Sequence, residues 1–270
     1  MTGTLHHWRD TLQDLGVMGL IPPPYQPEAL PETPAVAKKS LAAPVPGLAK
    51  INIAPAAAAG PDPSDPRAFP PAAALAAAGT LAELEACIQD CLACPLGAQR
   101  LRFVFGEGAA RARVLLVGEG PGRDEDLQGR PFVGKAGELL DRMLAAVGFP
   151  RESVYICNIV KCRPPDNRNP TPAEAQRCLP YLRRQVELVR PEVIVTLGAV
   201  PLRELLGVQG GITRLRGQWQ NLAMLGGIPV MPTFHPAYVL RQYTQEVRRA
   251  VWGDLQAVRD WLQKASGPEN

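Results

Sequence analysis

From about residue 80 onward the apolar positions alternate between two rhythms. Four short runs, Val114-Leu115-Leu116-Val117, Val154-Tyr155-Ile156-Cys157-Asn158-Ile159, Val193-Ile194-Val195-Thr196-Leu197 and Pro229-Val230-Met231-Pro232-Thr233, are apolar nearly throughout and mostly β-branched. Such runs predict strands buried on both faces. Between them apolar residues recur at three- and four-residue spacing. Leu139, Leu140, Met143, Leu144 and Val147 mark a helix over about 135–147, and Val247, Val251, Leu255, Val258 and Leu262 mark one over about 244–264. Helices are also expected over about 172–189 and 199–206. The former opens on Thr171-Pro172-Ala173-Glu174, which combines an N-cap, a first-turn proline and a capping glutamate. Thr80-Leu81-Ala82-Glu83 is a second capping box, leading into a helix that runs to about Cys87. Strands alternating with helices imply a parallel sheet covered on both faces. The expected fold is α/β, a three-layer α/β/α domain over residues 80–265 with a central four-stranded parallel sheet.

The first eighty residues break this pattern. Leu5, Trp8, Leu12 and Leu15 give residues 1–20 the spacing of a short amphipathic helix, suited to docking on the domain or on a protein partner. Residues 21–79 hold all 14 prolines of the first eighty residues, with alanine runs such as Ala56–Ala59 and Ala72–Ala74. Large apolar residues are too few there to build a core, so this segment is expected to be a disordered Pro/Ala-rich arm.

A net charge of +3 does not by itself announce a nucleic-acid binder. Five of the 29 Lys/Arg and six of the 26 Asp/Glu lie in residues 1–80, which leaves 24 and 20 beyond and makes the domain mildly basic. That permits phosphate binding. No segment reaches the roughly 18 uninterrupted apolar residues of a membrane span, and the N-terminus lacks the basic-then-apolar order of a secretory signal. A cytoplasmic location without membrane contact is the expectation, and nothing in the pattern asks for a second copy of the chain.

Candidate chemistry gathers after the first strand. Gly118-Glu119-Gly120-Pro121-Gly122 allows unusual backbone angles and close approach to a ligand, and carboxylates follow at Asp124, Glu125 and Asp126. A strand running into such a loop is where an open α/β sheet places its site. The cysteines form a second constellation. Cys91 and Cys94 make a CxxC before the first strand, Cys162 follows the second, and Cys178 lies on the next helix. Two close and two distant thiols can converge on zinc or on an iron–sulfur cluster. Cys87 and Cys157 fit buried apolar thiols better and are left out of this set.

Taken together, these motifs resemble the family-four uracil-DNA glycosylases, the iron–sulfur members of their superfamily. The resemblance is carried by Cys91/Cys94, Gly118–Gly122 with Glu125-Asp126, Gly129-Arg130-Pro131-Phe132-Val133-Gly134, Asn158–Pro165, Cys178-Leu179-Pro180-Tyr181-Leu182 and His235-Pro236-Ala237-Tyr238-Val239-Leu240-Arg241. It covers about residues 85–260 in order. It implies a [4Fe–4S] cluster on Cys91, Cys94, Cys162 and Cys178, and hydrolysis of the bond between uracil and deoxyribose in single- or double-stranded DNA, leaving an abasic site for base-excision repair. A base must leave the stack to be reached, so a pocket is required. The resemblance makes Phe132 the stacking aromatic, Asn158 the reader of the uracil edge, and His235 the donor to uracil O2, with Gly118 and Gly120 lining the base.

The carboxylate that positions water is less defined. Better-known uracil-DNA glycosylases carry aspartate directly before the loop proline, where this chain has Gly120. Glu119, at the strand end, is the first candidate and Glu125 the second. Val239, Leu240 and Arg241 resemble the wedge that fills the gap left by a flipped nucleotide. Lys161, Arg163, Arg168 and Arg216 are candidate phosphate contacts. The stretch Arg163–Pro170 has no histidine, unlike a related group that captures uracil covalently, so hydrolytic turnover is expected. A non-catalytic metal-bearing DNA-binding module is the alternative from another class.

Overall fold

Runs that are apolar at every position fit only strands covered on both sides, and that is where they lie. The computed structural model describes residue 70 and residues 72–266. Its strands are β1 (Glu107–Gly108), β2 (Val114–Gly118), β3 (Tyr155–Asn158), β4 (Val193–Leu197), β5 (Gln220–Leu222) and β6 (Ile228–Thr233). All residues of β2, β3 and β4 are buried. The sheet order is β1-β3-β2-β4-β6-β5.

The four expected strands are the inner four, and every pairing among them is parallel. The sheet nevertheless has six strands rather than four. β1 adds antiparallel to β3, and β5 adds antiparallel to β6. These edge strands are two and three residues long. Glu107-Gly108 and Gln220-Asn221-Leu222 carry no apolar alternation that would announce them.

Helices Lys135–Ala146, Pro172–Val189, Ala199–Leu206 and Gln245–Ser266 match the expected spans closely. At the start of Pro172–Val189 the capping box is reciprocal. Glu174 N donates to Thr171 Oγ1 at 3.2 Å, and Thr171 N donates to the Glu174 carboxylate at 2.7 Å. Thr80 likewise caps helix Leu81–Ile88, but the Glu83 carboxylate takes the Gly79 N–H instead of that of Thr80.

One part of the arm belongs to the fold. Ala72–Ala77, inside the segment read as linker, is helical, and Leu75 and Ala78 join the core cluster. Alanine is the best helix former, and the helix end finds a partner: Arg184 Nη2 donates to the carbonyls of Ala76 and Ala78. The folded unit thus takes in residues ahead of the expected start at Thr80. The amphipathic stripe of residues 1–20 and the Pro/Ala-rich segment up to residue 69 lie outside the described residues.

Strand order positions the site. The chain leaves β2 for β3 on one side, then crosses back to β4 on the other. Loops diverging from the C-terminal ends of such strands leave a crevice between them. No helix among the described residues is long and apolar enough to cross a membrane.

Candidate active site

Each of the four parallel strands delivers a residue to one cavity of about 550 Å³. Glu119 and the glycine loop follow β2, Asn158 ends β3, Leu197 and Gly198 end β4, and Phe234-His235 follow β6. Phe132, from the loop between helices Arg123–Gln128 and Lys135–Ala146, lies against this wall.

Phe132 is held in a costly conformation. Its φ is +52°, a region that bulky residues avoid at a cost of about 1–3 kcal/mol. Two groups hold it there. Arg151 donates to the carbonyls of Pro131 and Phe132 at 2.6 and 3.1 Å. The Glu125 carboxylate accepts the N–H groups of Val133 and Gly134 at 2.9 and 3.0 Å, and that of Gly122 at 3.1 Å. Glu125 therefore braces two loops across the pocket. This corrects its candidacy as the water-positioning carboxylate, because both oxygens already serve backbone donors.

Gly118 is required by close approach. A Cβ there would stand 2.3 Å from Asn158 Oδ1 and 2.6 Å from the Phe132 ring. The register pairs Gly118 with Asn158, so a glycine is what lets the amide and the ring share one space. At Gly120 a Cβ would meet Val160 Cγ2 at 2.7 Å, a packing reason for glycine where aspartate was considered.

Asn158 is 1% exposed, and its Oδ1 has no hydrogen-bond partner among the described residues. Buried acceptors are nearly always satisfied. An unsatisfied one lining a cavity is available to a ligand N–H.

His235 caps helix Pro236–Arg241, and its Nδ1 accepts the Ala237 N–H at 3.1 Å. Nδ1 is thus an acceptor, and the neutral ring carries its proton on Nε2. Burial pulls its pKa down to about 4, with the Arg241 charge adding to the effect. The ring is neutral near pH 7 and lies 5.6 Å from Phe132, centroid to centroid. Gly198 (φ +98°) lets the β4 loop come this close, since a Cβ there would lie 3.3 Å from His235 Cβ. Glu119 lines the same cavity, half-buried. Burial raises its pKa, and the Arg203 charge partly offsets this.

The four chosen cysteines also come together. Cys91 and Cys94 precede the turn Pro95–Ala98, Cys162 follows β3, and Cys178 sits on helix Pro172–Val189. All are free thiols whose charges act on one another. Burial pushes Cys162 up to about 11 and raises Cys178. Polar groups surround the set: Arg100 Nη1 donates to Cys162 Sγ at 3.4 Å, Ala93 N to Cys91 Sγ at 3.4 Å, and Tyr181 Oη lies 3.1 Å from Cys91 Sγ. Among the described residues no group of three His, Cys, Asp or Glu is placed to hold a single metal ion. Cys157 points instead at the Leu116 carbonyl inside the sheet, and Cys87 packs on the core.

Residues 105–256 match the family model of the uracil DNA glycosylase superfamily. A type-4 uracil-DNA glycosylase of Thermotoga maritima is 48% identical over 178 residues, 66% of this chain and 92% of that protein. The chain belongs to the type-4 uracil-DNA glycosylases. A second type-4 enzyme, from Archaeoglobus fulgidus, is 42% identical over 176 residues, covering 63% of this chain and 87% of that protein. A type-5 uracil-DNA glycosylase of Pyrobaculum aerophilum is more distant, at 33% over 147 residues, 48% of this chain and 63% of that protein.

Of the expected DNA contacts, the structure buries Lys161 and Val239. Lys161 is fully buried and bonds to the Asn158 carbonyl and Gln185 Oε1 at 2.9 and 2.5 Å, so it reaches no phosphate. Arg216 pairs with Asp254 and caps the Ala250 carbonyl. Arg168 stays exposed at the cavity, where it forms a two-pronged pair with Glu174 at 2.8 Å. Val239 is 1% exposed and packs inward from helix Pro236–Arg241, whereas Leu240 is 38% exposed and Arg241 lines the cavity mouth. Arg163 bonds through Nε to Asn167 Oδ1 at 2.8 Å. Asn167 itself went unremarked in the sequence. It lines the cavity at φ +53°, and asparagine's tolerance of left-handed backbone was the one signal of it.

Proposed function

We infer that this chain is a monofunctional uracil-DNA glycosylase that hydrolyses the N-glycosidic bond of deoxyuridine flipped out of DNA. The observation that carries this reading is the unsatisfied Asn158 Oδ1 beside Phe132 and neutral His235 in one cavity. Uracil offers an N3–H donor and an O4 acceptor side by side, which an amide matches with its Oδ1 and Nδ2. Cytosine offers the opposite polarity at both positions and leaves the buried amide unpaired, a penalty of about 1–3 kcal/mol. Phe132 stacks on the base.

As the C1′–N1 bond breaks, its electron pair moves onto the uracil ring and charge builds on O2. Nε2–H of neutral His235 donates to O2, a preorganised contribution of roughly 10²–10³ in rate. A neutral donor is already matched to an anionic leaving group without protonating it. Glu119, which lines the same cavity, is the residue we assign to face the positive sugar as a carboxylate, orient water toward C1′ and take its proton. A carboxylate with a raised pKa is better suited to that transfer. The products are uracil and an abasic site. Arg163, Leu240 and Arg241 are the residues we assign to the DNA face, with Leu240 entering the gap in the stack.

The cysteine set fits a [4Fe–4S] cluster by donor type and by the cationic and N–H groups around it. Bound there, the cluster would tie the CxxC segment, the β3 loop and helix Pro172–Val189 together. The N-terminal arm is assigned the role of a partner-binding tether.

The test is an oligonucleotide with one uracil, incubated with the purified chain and then treated with alkali. Scission at uracil and none at cytosine in the matched control is expected. No scission leaves the non-catalytic DNA-binding module as the surviving reading.

A further inference from the structure

Lys161 is the largest charged side chain without solvent access in the described structure, at 0% exposure. Burying an ammonium costs several kcal/mol unless an anion or a full set of acceptors compensates it. Among the described residues no carboxylate pairs with Lys161. Nζ donates to two neutral oxygens, the Asn158 carbonyl at 2.9 Å and Gln185 Oε1 at 2.5 Å. Gln185 is also fully buried, and its Nε2 donates to the Phe105 carbonyl and to Tyr155 Oη at 3.0 and 3.1 Å. Its amide is thereby locked with Oε1 facing the lysine.

One side chain therefore ties the backbone of Asn158, at the end of β3, to the locked Gln185 amide on helix Pro172–Val189.

We propose that Lys161 is a positioning residue, a buried strut that fixes the Asn158 strand end for uracil reading. The inference rests on the glycosylase reading. It moves Lys161 from the DNA surface to the interior.

The test uses the full chain purified with its cluster, as wild type, Lys161→Met and Gln185→Leu. Lys161→Met should lower kcat/KM on the uracil oligonucleotide by roughly 10- to 100-fold, the usual cost of losing an outer-shell partner. Inhibition by free uracil should weaken in parallel. The salt dependence of DNA binding should keep its slope. Gln185→Leu, which removes one of the two acceptors of the ammonium, should lower kcat/KM and weaken uracil inhibition in the same direction.

Lys161→Met with unchanged kcat/KM and unchanged uracil inhibition overturns the proposal. So does a salt slope reduced by about one, the mark of a lost phosphate contact. If Lys161→Met does not fold, Gln185→Leu with wild-type kcat/KM and wild-type uracil inhibition overturns it. Wild-type protein that releases no uracil would instead refute the glycosylase reading beneath it.

Discussion

His235 and Glu119 must both be deprotonated for the proposed chemistry, and burial moves their pKa values in opposite directions. The folded pKa of His235 is about 4, below its ordinary 6.5, and that of Glu119 is raised from 4.5. The protonation of His235 falls on the acid side of neutrality. The kcat/KM profile should fall with a log slope steeper than one at the acid end, where both groups are protonated. In Glu119→Gln the remaining acid limb should have a slope of one. Wild-type activity that instead falls as pH rises through about 6.5 would mean that the histidine acts as a cation. Stability follows the same sign. The unfolded chain binds a proton at His235 from 6.5 downward while the folded chain resists until about 4, so this residue's contribution is complete above 6.5 and is lost as pH falls toward 4.

Between residues and fold stand the loops, and Glu125 shows how an element can mislead a reading by residue type. A glutamate after a glycine loop looks catalytic because carboxylates are what such sites use. Its two oxygens instead satisfy the N–H groups of Gly122, Val133 and Gly134, and only three-dimensional placement reveals that. Glu125→Ala leaves three donors without their acceptor and should destabilise the fold by about 3 kcal/mol. Calorimetry should register this as a lower Tm, with kcat falling because Phe132 loses its brace. A variant with wild-type Tm and a selective loss of kcat would return Glu125 to chemistry. The loop after β6 is held in a similar way. Thr233 Oγ1 donates to Asp254 at 2.7 Å, and Arg216 both pairs with Asp254 and lies 5.7 Å over the Phe234 ring beside His235. Arg216 and Lys161 were read as surface cations because sequence shows charge without burial.

At the scale of the whole molecule, the central sheet was legible because a strand covered on both faces must be apolar at every position. β2, β3, β4 and β6 therefore stood out, while the edge strands β1 and β5, with one open side, had no such demand on their composition. Gly118, Asn158 and His235 stood out in the sequence and meet at one cavity wall, and close approach dictates the glycine. The site was not legible in Arg151 or Gln185, whose roles arise from distant segments meeting. The helix Ala72–Ala77 was hidden by its Pro/Ala-rich neighbourhood, and it leads to a comparison of truncations. A chain lacking residues 1–69 should keep the Tm and glycosylase activity of the full chain. One lacking residues 1–79 loses Leu75, Ala78 and the Arg184 contacts, and should melt several degrees lower, as a loss of roughly 1–2 kcal/mol implies. Equal melting temperatures would place Ala72–Ala77 outside the cooperative unit.

The most direct measurement is of the released base itself. Full-length protein and its Asn158→Ala variant should be incubated with the same uracil-containing DNA, and the free base quantified by chromatography and mass. Wild type should release uracil stoichiometrically with an unbroken strand, and the variant at least tenfold more slowly, with its fold and cluster intact. Release at equal rates from both proteins, or no free uracil from either, would contradict a pocket that reads uracil through Asn158.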